Sequence, residues 1–234
     1  DLEPGRGLTD AIDNPSRIDG LFIERAMVRA NDNLAILSAE APISQPLMTD
    51  GAAFVQLEEE FRHAFDMTVI DMPRNMLINF PHLLSNVNVL VLTTELTLAS
   101  ARDAIRLLSW LKANAPHARP IVVANKVNGS VVEISKSDFE ATIERKIDLQ
   151  IMLDAKGAAN AAKLGQTFVE ANRSSKSAAS VRELSTRILS AGEQEAAGLN
   201  LSKSGSANGG EDEKKSLLSK LSFKSLMSSK QKAD

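Results

Sequence analysis

An alternation constrains this chain more than any other feature. Short, largely apolar runs at Thr68–Ile70, Val87–Leu92, Ile121–Ala124 and Ile147–Leu153 are separated by stretches with helical periodicity. A strand apolar on both faces belongs in the interior of a parallel sheet. Parallel neighbours need a crossover of a dozen or more residues, and a helix usually supplies it. The intervening segments have that length. Phe54, Leu57, Phe61 and Phe65 share one helical face, as do Leu98, Ala101, Ile105, Leu108 and Leu111. The spacing therefore predicts an α/β domain, a mostly parallel sheet flanked by helices. Asp19, Asp50, Thr97 and either Ser135 or Ser137 are placed to cap helices. Further helices are expected at Leu8–Ile12, Gly20–Val28, Leu77–Asn86, 155–170 and 177–191. A buried strand is expected at Asn33–Ser38.

The composition fits a globular domain. Of 234 residues, 43% are hydrophobic and 24% charged, and the net charge is −3. That mild charge gives no electrostatic footprint for nucleic acid. The absence of cysteine excludes disulfides, thiolate metal sites and cysteine nucleophiles. No apolar run approaches the roughly 20 residues of a membrane-spanning helix. The chain opens on Asp1 within the loop-like Asp1–Gly7, so it reads as an N-terminally truncated domain over 1–191. The Gly-, Ser- and Glu-rich stretch 192–213 is expected to be a flexible linker. Lysine-rich 214–234 is expected to be a disordered basic tail, because Lys220 and Lys224 fall among its apolar residues instead of opposite them.

In an open α/β sheet, ligands bind outside the carboxyl ends of the strands. Four polar groups fall at such ends: Asp71-Met72-Pro73-Arg74, Thr93-Thr94-Glu95, Asn125-Lys126 and Asp154. Pro73 fixes its own φ and removes a donor, so the preceding strand stops there. An acid at Asp71 can hold Mg²⁺ through water; it can equally form a turn or cap a helix. Arg74 can present a planar fork to a phosphate or a partner carboxylate, or be an ordinary surface arginine. The carboxamide of Asn125 can donate to and accept from a base edge, or form a turn after its strand. His63, His82 and His117 have no metal-ligand spacing.

Taken in order, the segments FDMTVIDMPR, VLVLTTELTLASARDAIRLLSWL, IVVANKVN and ISKSDFEATIERKIDLQIMLDAKGAANAAKLGQ resemble the MinD/ParA group of P-loop ATPases. Within it the likeness is to the CpaE/TadZ branch of Flp pilus assembly proteins, and it covers roughly residues 1–190. The opening DLEPGRGLTDAI resembles that branch just after its second strand, so the resemblance implies a domain lacking its first two strands.

The resemblance implies roles residue by residue. Asp71 stands at the Walker B acid, which holds Mg²⁺ through water. Asp71 through Arg74 occupies the switch that senses the γ-phosphate, although Met72 and Arg74 depart from the small, glycine-bearing switch of many relatives. Asn125 stands beside the adenine, and Asp154 begins the loop near the base. The intact protein would use ATP and Mg²⁺ and form a homodimer. It would meet pilus or secretion machinery proteins, with a peripheral contact at the inner membrane and no nucleic-acid partner. A MinD-type division or ParA-type partition ATPase and a scaffold without turnover are the alternatives. This sequence has no G-x-x-x-x-G-K-[ST] and no lysine-bearing variant of it, and Gly5-Arg6-Gly7 is too short to be a phosphate loop. The chain as it stands is therefore expected neither to bind ATP tightly nor to hydrolyse it. Loss of a central strand is also expected to leave a gap in the sheet.

Overall fold

A computed structural model describes residues 5–42, 44, 49–129 and 133–204, with backbone alone over 193–204. The chain divides into two units, Asp1–Glu195 and Ala196–Asp234. Everything described below up to Glu195 belongs to the first.

The first unit begins with α1 (Gly7–Asp13) and α2 (Gly20–Ala26), followed by β1 (Val28–Asn31), β2 (Leu34–Ile36) and α3 (Ala52–Ala64). Asp19 caps α2 as expected, its Oδ1 accepting the Phe22 N–H at 2.7 Å. The three helices close around Ala11, Ile12, Ile18, Ile23, Ala53 and Leu57. The expected buried strand at Asn33–Ser38 is corrected here. Its core is β2 of a two-stranded antiparallel hairpin, and Leu34 and Ile36 are exposed. A two-residue turn at Asp32–Asn33 joins β2 to the mixed-polarity β1, which hydrophobic patterning does not reveal.

The main sheet contains β3 (Val89–Thr94), β4 (Arg119–Val127) and β5 (Leu149–Met152), parallel and in the order β3-β4-β5. The crossover from β3 to β4 is α5 (Leu98–Asn114), and α6 (Lys136–Thr142) lies between β4 and β5. Thr97 caps α5 by accepting the Ser100 N–H at 3.1 Å, and Ser135 caps α6 by accepting the Asp138 N–H at 3.1 Å. Alternate residues of β4 point to opposite faces. Val122 and Ala124 pack with Ala101, Ala104, Phe139 and Ile143 on the α5–α6 side. Ile121 and Val123 pack with Leu149, Leu184 and Ile188 on the other. The chain ends with α7 (Ala155–Leu164), α8 (Phe168–Ala171) and α9 (Lys176–Ser204). Residues 192–204, read from composition as linker, are helical backbone; Glu193–Ala197 and the leucines beyond are good helix formers. Residues 205–234, including the basic tail, lie outside the described residues.

The run Thr68–Ile70 departs most from expectation. Residues 66–73 belong to no strand or helix, with a bend at Asp66, and α4 (Arg74–Asn79) begins directly after them. Val69 is 80% exposed and Ile70 51%. The expectation of a buried central strand is therefore corrected. β-propensity expresses packing on a pleated surface, and without a ladder partner a β-branched run stays open. Among the described residues, no backbone hydrogen bond reaches the outer edge of β3 either. The β5 edge is treated differently. Arg187 donates to the Asp148 carbonyl at 2.8 Å and Ser177 to the Met152 carbonyl at 3.0 Å, so α9 side chains satisfy that edge. No described helix is long and apolar enough to cross a membrane.

Candidate functional site

The carboxyl ends of β3 and β4 form an open pocket of about 250 Å³, lined by Glu95, Leu96, Thr97, Lys126, Val127, Asn128 and Glu133. Its geometry starts in the backbone. β4 runs on to Val127, so Asn125 and Lys126 lie within the strand instead of following it. The pairing of β4 with β5 slips between Ala124 and Val127, and Lys126 sits there at φ +53°. An extra residue at a strand end re-aims its side chains, and such irregularities gather beside functional sites. A left-handed lysine is sterically unfavourable and persists only where its surroundings hold it.

Glu95 is one such holder. Its Oε1 accepts a hydrogen bond from Lys126 Nζ at 2.8 Å. That bond and the charge of Glu95 push the lysine pKa up from its ordinary value. On the far wall, Glu133 Oε1 accepts the Leu98 N–H at 3.1 Å, placing a carboxylate on the first turn of α5. The helix dipole favours a negative group at that position.

Of the four residues singled out in the sequence, none lines this pocket, and Asn125 adjoins it. Asn125 Oδ1 accepts the N–H of Lys126 at 2.9 Å, which commits its acceptor and leaves the amide group to donate. Asp154 is the N-cap of α7, its Oδ1 accepting the Gly157 N–H at 2.8 Å. The helix begins tightly against that carboxylate, since a Cβ on Gly157 would come within 2.6 Å of it. Asp71 is exposed on the irregular segment before α4. Arg74 opens α4 and is paired with Asp103 of α5 at 2.9 Å. Both side chains of that pair are largely open to solvent. Glu133 escaped the sequence reading because it acts 35 residues from the helix it serves, with no local signature.

Mg²⁺ keeps much of its water and needs only one or two protein carboxylates beside the phosphates. An exposed Asp71 is chemically suited to that role, and the Asn125 amide is suited to donate to a base. Among the described residues no group of three or more His, Cys, Asp or Glu side chains converges as a metal cage.

No protein-family model matches this sequence, and no curated protein matches it. Solved structures do match. A ParA family ATPase from Chlorobium tepidum TLS superposes with a TM-score of 0.67 at 17% identity, covering 77% of this chain and 74% of that one. The fold is that of the ParA and MinD ATPases. The MinD cell division protein of Aquifex aeolicus gives a TM-score of 0.58 at 17% identity over 80% of this chain and 82% of its own. The cell division ATPase MinD of Pyrococcus furiosus gives 0.58 at 19% identity over 80% and 77%. At such identities the likeness concerns the ParA/MinD fold alone.

Proposed function

We propose that this chain is the base-side part of a ParA/MinD-type nucleotide site and serves a dimerising, pilus-assembly ATPase of the CpaE/TadZ kind at the inner membrane. One observation carries the nucleotide part. On a ParA/MinD fold, Glu95, Lys126 and Glu133 line a pocket at the carboxyl ends of parallel strands, and Asn125 Oδ1 accepts the N–H of Lys126. Asp71 is assigned to hold Mg²⁺ through water and Asp154 to fix the loop beside the base. Arg74 is assigned to the switch. The pilus assignment is supported by the order of sequence segments described above. A scaffold that does not turn over ATP is favoured for this chain taken alone, since its sequence carries no lysine-bearing phosphate loop.

Amide chemical-shift mapping with millimolar ATP and Mg²⁺ tests the nucleotide assignment. Perturbations should concentrate at residues 93–97 and 125–129, with weak, unsaturated binding. Shifts confined to other surfaces would overturn the assignment, and stoichiometric tight binding in calorimetry would overturn the scaffold reading. The pilus assignment fails if deleting this protein leaves surface piliation of its host unchanged.

A further inference from the structure

Arg74 apart, one surface takes no part in the nucleotide reading. Helices α4 and α5 carry Arg74, Arg102, Arg106 and Lys112 against a single acid, Asp103. Asp103 draws in two of the arginines, Arg74 at 2.9 Å from the neighbouring helix and Arg106 at 4.0 Å from its own. Arg102 is exposed and has no hydrogen bond or ion pair among the described residues. Apolar side chains lie open beside these guanidinium groups. On α5, Leu98 is 62% exposed and Ile105 42%, and the spacing 98, 102, 105 puts both on one face with Arg102. On α4, Ile78 is 60% exposed and lies one turn beyond Arg74. On α5, Arg106 stands between the Leu98–Arg102–Ile105 stripe and Asp103, and the Arg74–Asp103 pair sets α4 on the far side, so the surface runs from that stripe across the guanidinium groups to α4.

We propose that this surface docks an acidic amphipathic helix of a partner protein. An amphipathic helix binds by laying apolar anchors into a groove at spacings of three and four residues. Arginine is the cation enriched at such interfaces, because its planar fork meets carboxylates in fixed geometry. Two alternatives fit less well. Duplex DNA would neutralise the arginines and leave Ile78, Leu98 and Ile105 in water. An anionic bilayer would bury the apolar groups but press Asp103 against a continuous negative plane. A peptide helix can set separate carboxylates over Arg102 and Arg106 and leave Asp103 with Arg74. This docking does not rest on nucleotide binding.

The test uses the whole chain and a fluorescein-labelled synthetic helix of about 18 residues, long enough to be helical, with leucines on one face and glutamates along its border. Anisotropy titrations compare it with the same peptide carrying glutamine for glutamate. The acidic peptide should bind about tenfold tighter, through charge-assisted contacts. The double variant R102Q/R106Q should lose about the same factor. Ile105→Ser should weaken binding without changing its salt dependence, which separates the apolar anchor from the charges. These positions are exposed, so the far-ultraviolet circular dichroism of the variants should match the parent. The proposal is overturned if the two peptides bind equally or if R102Q/R106Q binds as the parent does. It is equally overturned if phosphatidylglycerol–phosphatidylcholine vesicles or a duplex DNA oligonucleotide bind this face more tightly than the acidic peptide.

Discussion

Lys126 Nζ lies 2.8 Å from Glu95 Oε1, so one ion pair bridges the carboxyl ends of β3 and β4. The pair spans the mouth of the candidate pocket and braces the one left-handed residue in the sheet. The lysine pKa is raised by its hydrogen bond to Glu95 and by the charge of that carboxylate. A cation stabilised by folding contributes fully below its unfolded pKa and loses that contribution as pH rises through the raised one. The stability difference between the parent and Lys126→Met should therefore be present at neutral pH and vanish in strong alkali. It should be small, because both partners are exposed. Urea denaturation at a series of pH values measures it.

Glu140 gives the opposite sign. This carboxylate is almost buried, and it accepts hydrogen bonds from Lys146 at 2.8 Å and the Ile147 N–H at 2.9 Å. The Lys146 bond first, and then the Ile147 N–H, hold its pKa below the ordinary glutamate range. A depressed carboxylate stabilises the fold above its unfolded pKa, about 4.3, and loses that contribution as pH falls through the folded value. Glu140→Gln should lower the melting temperature by about 5 °C near neutrality. The parent and the variant should converge only as pH falls through the lowered pKa of Glu140. Melting curves followed by circular dichroism across that range decide the matter.

Phe139 is fully buried between α5, α6 and β4. Truncating a buried phenylalanine costs its transfer free energy plus that of the cavity left behind, about 3–5 kcal/mol. Phe139→Ala should lower stability by that amount in equilibrium denaturation, enough to threaten the fold of a domain with ordinary marginal stability.

Val69 should behave in the opposite way. At 80% exposure its side chain has little apolar area to lose. Val69→Ala should change stability by no more than about 0.5 kcal/mol. A larger loss in the same assay would mean that the segment is paired and packed in solution.

Much of this fold is legible in the residues, because the deciding interactions are local. Asp19 and Thr97 are caps on sight, and each accepts the N–H expected of it; of Ser135 and Ser137 it is Ser135 that caps α6, and the cap expected of Asp50 falls one residue on, at Gly51. The run at the centre of β4 is apolar because both of its faces are covered, and those of β3 and β5 pair with it on either side. Where partners are distant, sequence says less. Thr68-Val69-Ile70 looks as strand-like as Ile121-Val122-Val123, yet only the second has a ladder on both sides. The candidate site divides in the same way. Asn125, Lys126 and Glu95 stand at strand ends and can be picked out. The turn of Lys126 into left-handed backbone depends on a register slip against β5, and Glu133 meets α5 only through tertiary folding. Arg74 could be assigned a carboxylate, but which one depended on the packing of α4 on α5.

The unequal edges of the sheet give the molecule a direction. Arg187 and Ser177 close β5 with side-chain bonds, while β3 keeps an open row of donors and acceptors beside apolar Val91. An open row of that kind is a template for another strand. Self-association under crowding or mild heating should therefore start from β3 and spare β5, as it would in a filament blocked at one end. A lysine at position 91 should delay the onset of turbidity, whereas the same change at Gln150 should not.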